Sequence, residues 1–418
     1  MLHRTLSLIF LTALLILTGC NPELTNPEQT PGNGFSVRPQ GTRDFTTFND
    51  FVTSVYQAPD SAKQTLVDSF LVWANNQTGI PYKEDSTAYF LYTHDQSVDV
   101  AVAGDFNGWS PSNSSFSHLY QTNLYYRAEH FEMDARLDYK LVIDGNNWIL
   151  DPRNPHHVSG GYGPNSELAM PAYVQPPEIQ EYEIPHGTLE SFLWTDTTQG
   201  RSRNVKVYLP PDYAGNVDSF RTIYFHDGSE YLDLGFAENV LNYLIYQEAI
   251  PPVIGVFVNP TNRMTEYAYD YDFMAMFVNE LVPYIDGSYR TLTRAEDRAI
   301  AGVSLGGLTS LLFSISHPDI FGNCGAYSPA IWGEYGDVID LYHQAENVLP
   351  LKIYIDGGTY EPSIHAPAEQ LAQYLMENGW DTVWHSWHEG HSWGAWRAHL
   401  DECLTYFWSL ETTAIDEH

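Results

Sequence analysis

Gly302-Val303-Ser304-Leu305-Gly306 sets a hydroxyl between two glycines, at the end of one apolar run and the start of another. A serine with this G-x-S-x-G spacing fits a tight strand-to-helix turn, which needs small residues two places before and after it. Such a turn lifts Ser304 above a sheet and aims a helix N-terminus at a reacting oxygen. A serine alcohol is a poor nucleophile until a base takes its proton. The base expected is His391, in Glu389-Gly390-His391-Ser392-Trp393, where the preceding glycine lets the loop turn inward. His385, His388 and His399 are rivals that read as surface or packing residues. The acid that fixes the imidazole tautomer is expected between serine and histidine, in Asp356-Gly357-Gly358-Thr359-Tyr360-Glu361. Glu361 is the choice and Asp356 the alternative. Charge developing on a tetrahedral oxygen calls for preorganised donors. One is expected from the backbone N–H of Leu305, the other from Ser229 or Gly228 in His226-Asp227-Gly228-Ser229. The histidines lack H-x-x-x-H spacing with a carboxylate, so neither a metal nor a cofactor is expected.

These residues need a scaffold. From 187 to 410 the sequence alternates short apolar strands with longer amphipathic stretches, the mark of a doubly wound α/β sheet. Strands are predicted at 204–209, 221–225, 253–258, 299–303, 325–328, 352–356 and 382–386, and helices at 273–285, 306–316 and 367–378. Serine, acid and histidine then follow the strands at 299–303, 352–356 and 382–386 in turn.

The motifs in this region are Tyr208-Leu209-Pro210, His226-Asp227-Gly228, Arg263 with Glu266-Tyr267, Ala301-Gly302-Val303-Ser304-Leu305-Gly306-Gly307, His317-Pro318 with Phe321-Gly322, Tyr327-Ser328-Pro329-Ala330-Ile331-Trp332, and Gly390-His391. On them, residues 187–408 resemble the enterochelin-esterase and esterase-D branch of α/β hydrolases, which includes feruloyl and acetyl-xylan esterases. The resemblance implies an α/β-hydrolase fold and ester hydrolysis through an acyl-enzyme on Ser304, with His391 as base. Many members carry Asp where this chain has Glu361. Arg263, Tyr327, Trp332, Trp393 and Arg397 are the substrate-contact candidates. Ferric catecholate siderophores are anionic and want several cations, whereas only Arg263 and Arg397 lie near the motifs. An acyl or feruloyl group on a polysaccharide is therefore the expected ester. A siderophore trilactone is the alternative, and a non-catalytic glycan-binding surface lipoprotein is the alternative of another class.

Ahead of that region the apolar period is two, with strands predicted at 88–92, 98–104, 125–131, 138–143 and 167–170. This reads as an antiparallel sandwich over 86–171, joined by a Pro- and Glu-rich linker over 172–186. Val102-Ala103-Gly104-Asp105-Phe106-Asn107-Gly108-Trp109, Tyr139-Lys140-Leu141-Val142-Ile143-Asp144-Gly145 and Trp148 with Asp151-Pro152 resemble the immunoglobulin-like early-set domain of isoamylases and branching enzymes. The resemblance implies sugar contact by Trp109, Lys140 and Trp148, with Asn165 a further candidate. Indole faces suit the apolar face of a pyranose, while Lys and Asn bond hydroxyls.

Residues 43–85 read as a helical segment and 21–42, rich in Pro, Asn and Thr, as a flexible tether. The first twenty residues end in Leu17-Thr18-Gly19-Cys20, which resembles a bacterial lipobox. It implies lipidation at Cys20, export, and outer-membrane anchoring of an otherwise water-facing chain. Fifty-three acidic residues against nineteen basic ones give a formal charge of -34, which disfavours nucleic acid or anionic lipid as a partner. Cys324 and Cys403 are then either one bridge or two small buried side chains.

Overall fold

A computed structural model describes residues 44–161, 163–267 and 269–410. The leader, Cys20 and the tether lie outside the described residues.

The chain begins with two helices, Phe48–Gln57 and Asp60–Gln77. Thr47 starts the first by accepting a hydrogen bond from the Asp50 amide at 3.0 Å. Phe48, Phe51 and Val55 on one helix meet Val67, Phe70, Leu71 and Ala74 on the other, each set at helical spacing. Both helices lie on a four-stranded antiparallel sheet of Tyr82–Glu84, Thr87–Thr93, Leu124–His130 and Ser117–His118. Along Thr87–Thr93 the side chains alternate: Tyr89 and Leu91 join the helix core, while Ala88 and Phe90 face a second sheet. That sheet pairs Val100–Gly104, Arg136–Ile143, Asn165–Ala169 and His157–Val158, with Asn147–Ile149 alongside Arg136–Ile143. Leu137, Tyr139, Leu141, Ile143 and Leu168 close the core between the two sheets. The strand Tyr82–Glu84 falls inside the segment expected to be helical. The 172–186 linker is packed down: Ile179 is buried, and its carbonyl accepts from Asn239 on the helix Ala237–Tyr246 at 3.0 Å.

The larger sheet has eight strands in the order Thr188–Thr195, Ser202–Leu209, Val253–Val258, Arg221–His226, Arg298–Val303, Asn323–Tyr327, Lys352–Gly358 and Asp381–Trp387. The first two pair antiparallel, and the second is antiparallel to the third. The rest are parallel. Every position of Val253–Val258 and Arg298–Val303 is buried, as expected of strands with helices on both faces. After Arg221–His226 the chain passes first to the strand on one side of it and then to the strand on the other. This is a topological switch point, and the crevice it opens lies beyond His226 and Val303, at the carboxyl ends.

Other parts of the fold depart from the expectation. The helix foreseen at 273–285 is three pieces, Tyr271–Met276, a wider π turn over Phe277–Leu281, and Val282–Ser288. Pro283 has no N–H to give the preceding turn, and its ring crowds the carbonyl there. Thr188–Thr195 was not foreseen because it is an edge strand, mostly exposed and without apolar alternation. Cys324 and Cys403 are free and buried, so the bridge alternative is absent.

Candidate active site

Ser304 sits at the end of Arg298–Val303 with φ 58° and ψ -118°, and the helix Leu305–Ser316 begins at the next residue. A left-handed φ on a serine is strained and must be held from outside. Its amide donates to the Tyr327 carbonyl at 2.8 Å, and its own carbonyl accepts from the Ala330 amide at 3.0 Å. The glycines are required by contact. A Cβ on Gly302 would overlap the backbone of Gly306, and one on Gly306 would stand 3.3 Å from His226 Cβ.

Ser304 Oγ lies 2.9 Å from His391 Nε2, and His391 Nδ1 is bonded to Glu361 Oε2. The imidazole stays a third exposed while the carboxylate is 4% exposed. Glu361 Oε1 accepts from the Gly358 amide at 2.7 Å and from the hydroxyl of Ser328, which in turn accepts from Trp396 Nε1 at 3.1 Å. Asp356, the alternative acid, is spent elsewhere. Its carboxylate accepts from the Ser328 amide at 3.0 Å and from the Tyr354 hydroxyl at 3.2 Å. Burial pushes it up to about 7, although His399 nearby pulls the other way. An alcohol, an imidazole and a buried carboxylate in this order can pass a proton from oxygen to nitrogen and hold the resulting imidazolium.

Leu305 opens its helix, so its amide has no partner within that helix. The loop after Arg221–His226 comes close: Asp227 Oδ2 would be 3.4 Å from a Cβ on Gly306. Of its amides, Asp227 donates to the Tyr267 hydroxyl at 2.7 Å and Ser229 to Asn259 Oδ1 at 2.7 Å. Ser229 is therefore corrected as an oxyanion donor, since its N–H is already engaged. Gly228, first residue of the helix Gly228–Asp233, keeps the role open.

The substrate-contact candidates divide. Arg263 bonds both Asp227 oxygens through Nε, at 3.0 and 2.9 Å, and the Val303 carbonyl at 3.2 Å, so it braces the turn that carries Ser304. Trp332 is 38% exposed, two residues beyond the Ala330 amide that bonds Ser304. Three of these expectations need correction. Tyr327 is wholly buried against Tyr354, at 5.3 Å between rings. Trp393 is packed edge-on between Tyr231 and Trp396. Arg397 lies over Phe236 of the large-sheet region at 5.2 Å, with Nη2 3.8 Å from Glu167 of the five-stranded sheet. Tyr327 and Trp393 complete a core, and Arg397 meets an ion partner, that the motif spacing alone does not reveal.

On the five-stranded sheet, Trp148 pairs with Val142 across strands, so it shares a face with Lys140. Trp148 is exposed; Asn165 donates to Asp138 on the same face at 3.0 Å. Trp109 is partly buried, its indole donating to Asp105 at 3.0 Å. Ser328 and Asn259, which hold the acid and the Ser229 loop, are not among the residues expected from sequence. Ser328 lies inside the Tyr327-Ser328-Pro329 motif, whereas Asn259 carries no local signal.

A family model described as "Putative esterase" matches residues 197–407. The iron(III) enterobactin esterase of Escherichia coli strain CFT073 is 24% identical over 62% of this chain and 67% of its own length. The endo-1,4-beta-xylanase/feruloyl esterase of Xylanibacter ruminicola is 26% identical over 46% of this chain and 28% of its own. This chain spans 59% of one of the first curated relatives it matches and 67% of the next. In structure it is similar to the ferric enterobactin esterase of Salmonella typhimurium, with a TM-score of 0.70 at 19% identity, covering 81% of this chain and 98% of that one. With half of its length matched by that model, and Ser304, Glu361 and His391 inside the match, the chain belongs to the esterase family.

Proposed function

We propose that this esterase cleaves its substrate through an acyl-enzyme on Ser304, with His391 as general base and then general acid and Glu361 as the orienting carboxylate. The observation that carries the reading is the continuous hydrogen-bond chain from Ser304 Oγ through His391 to Glu361. His391 takes the proton as Ser304 attacks the ester carbonyl, then returns it to the leaving alcohol; water repeats the sequence to release the acid. The amides of Leu305 and Gly228 are the proposed oxyanion donors, each worth about 3 kcal/mol.

The proposed substrate is an acyl or feruloyl ester on a polysaccharide, flanked by Trp332. Support comes from charge. The two cations near the motifs are committed, Arg263 to Asp227 and Arg397 to Glu167 and Phe236, in a chain of formal charge -34. An anionic ferric siderophore finds little to meet it. The siderophore trilactone stays the second reading because the likeness to the Salmonella esterase runs through the small sheets as well as the large one. The small sheets are proposed as an immunoglobulin-like early-set module that meets glycan through Trp148, Lys140, Trp109 and Asn165. Export and anchoring through Cys20 belong to the same proposal; an acyl label that persists in Cys20→Ala would remove that part.

A fluorophosphonate probe should label the protein and fail on Ser304→Ala, whose kcat should drop by about 10⁶. Equal labelling of the variant would end the mechanism. Turnover of p-nitrophenyl acetate without release from feruloylated or acetylated xylan would end the substrate assignment alone.

A further inference from the structure

The strand Arg136–Ile143 starts against the loop that carries His391. The Arg136 amide donates to the His388 carbonyl at 3.0 Å, and Arg136 forms an isolated parallel bridge with Glu389. Its guanidinium has no exposure. It donates to Ser392 Oγ at 3.0 Å and pairs with Asp138 at 2.6 Å and Glu167 at 2.8 Å. Asp105, also buried, accepts from the Asp138 amide at 2.7 Å. Both side chains press on the loop: a Cβ on Gly390 would overlap the Asp105 carboxyl, and one on Gly394 would overlap the Arg136 guanidinium. Those glycines bracket His391.

The turn before the strand touches both loops of the site. His388 Nδ1 meets Asp134 at 2.7 Å, and the hydroxyl of Tyr360, next to Glu361, donates to Glu132 at 2.5 Å. The two loops are themselves joined, Tyr360 amide to Glu389 carbonyl at 3.1 Å.

We infer that the small-sheet module contributes positioning residues to the reaction: Arg136, set by Asp105, Asp138 and Glu167, fixes the 390–394 backbone and so the reach of His391 to Ser304. Ordinary packing would be served by apolar side chains. A fully buried guanidinium is costly unless every donor is directed, and directed bonds are what a fixed loop geometry needs. Burial opposes the charge of Arg136, and the Asp138 and Glu167 carboxylates overcome it, so its pKa is raised and it stays a cation. The inference rests on His391 being the base.

The test uses the full chain and p-nitrophenyl acetate. Ser392→Ala removes the loop's side of the Arg136 bond at little risk to folding; Arg136→Met removes the cluster's centre. With folding confirmed by near-UV circular dichroism, kcat should fall about 10–100-fold at near-constant KM, since small misplacements of reacting groups cost that much. The acidic limb of the kcat/KM profile, which reports the base, should shift. If folded Ser392→Ala keeps both the wild-type kcat and the wild-type profile, the inference is overturned whatever Arg136→Met does. His391→Ala separates the two failures: an inactive His391→Ala beside an unaffected Ser392→Ala sinks only the positioning role, whereas an active His391→Ala sinks the reading beneath it.

Discussion

Asp356 lies within the strand Lys352–Gly358 and Glu361 at the start of the helix that follows, and the two do different work. Glu361 meets His391 through one oxygen while Gly358 and Ser328 hold the other, so the carboxylate has a single free direction. Glu361→Gln should lower kcat by about 10⁴ through loss of the tautomer lock. Asp356→Asn should retain most activity, and its effect belongs to stability. Burial lifts the Asp356 pKa from 3.8 to about 7, so the folded chain binds a proton more tightly than the unfolded one. The stability this group lends is present below pH 3.8 and is lost as pH rises toward 7. Asn carries no such loss, so thermal midpoints of the variant should gain on wild type between pH 5 and pH 8. An Asp356→Asn enzyme as inactive as Glu361→Gln would make Asp356 the acid instead. Ser304 and His391 were legible in the sequence because the glycines around them are local and their purpose is steric. The burial of Tyr327, Trp393 and Arg397 was not, because the rings and carboxylates that enclose them come from distant strands and helices.

At the scale of elements, the strand Arg221–His226 ends in a histidine that no polar group meets. His226 is wholly buried within a cage of Tyr267, Phe273, Phe277 and Phe313, with ring centroids 5.1 to 6.1 Å away, and neither nitrogen has a partner among the described residues. Burial, with Arg263 nearby, depresses its pKa from 6.5 to about 3, so it stays neutral beneath the turn at Ser304. The unfolded chain takes up a proton below pH 6.5 and the folded chain does not. Stability is therefore lost as pH falls from 6.5 toward 3, at about 1.4 kcal/mol per pH unit. His226→Phe keeps the ring in the cage and removes the titration. Its stability relative to wild type should rise by about 2 kcal/mol between pH 7.5 and pH 5, read from denaturant midpoints. A relative stability that is the same at both pH values would show that His226 is hydrated in solution. The same cage explains why period alone misjudged the helix at 273–285. Phe273 and Phe277 keep helical spacing on either side of the junction with the π turn, so the apolar stripe reads as continuous.

Across the whole molecule, the small sheets divide their surfaces between two tasks. One sheet gives an outer face to the two N-terminal helices, and the two sheets share a core. On the outer face of the five-stranded sheet, Arg136 and Asp138 meet the 388–394 loop. Beyond them the same face carries Lys140 and Trp148, with Trp148 42% exposed and nothing stacked on its indole among the described residues. On the proposed function, a face anchored at one end to the 388–394 loop and open at the other would hold a polymer while an ester on it is cut. The negative charge of the chain does not oppose a neutral polymer as it would a polyanion. Trp148→Ala should therefore weaken retention on insoluble acetylated or feruloylated xylan by about tenfold, the worth of one ring stacked on a sugar face. The kcat/KM for p-nitrophenyl acetate should stay at wild type, because that ester is too small to reach Trp148. Retention equal to wild type would reduce the open end of the face to plain surface, leaving the sheets their place against the catalytic loop alone.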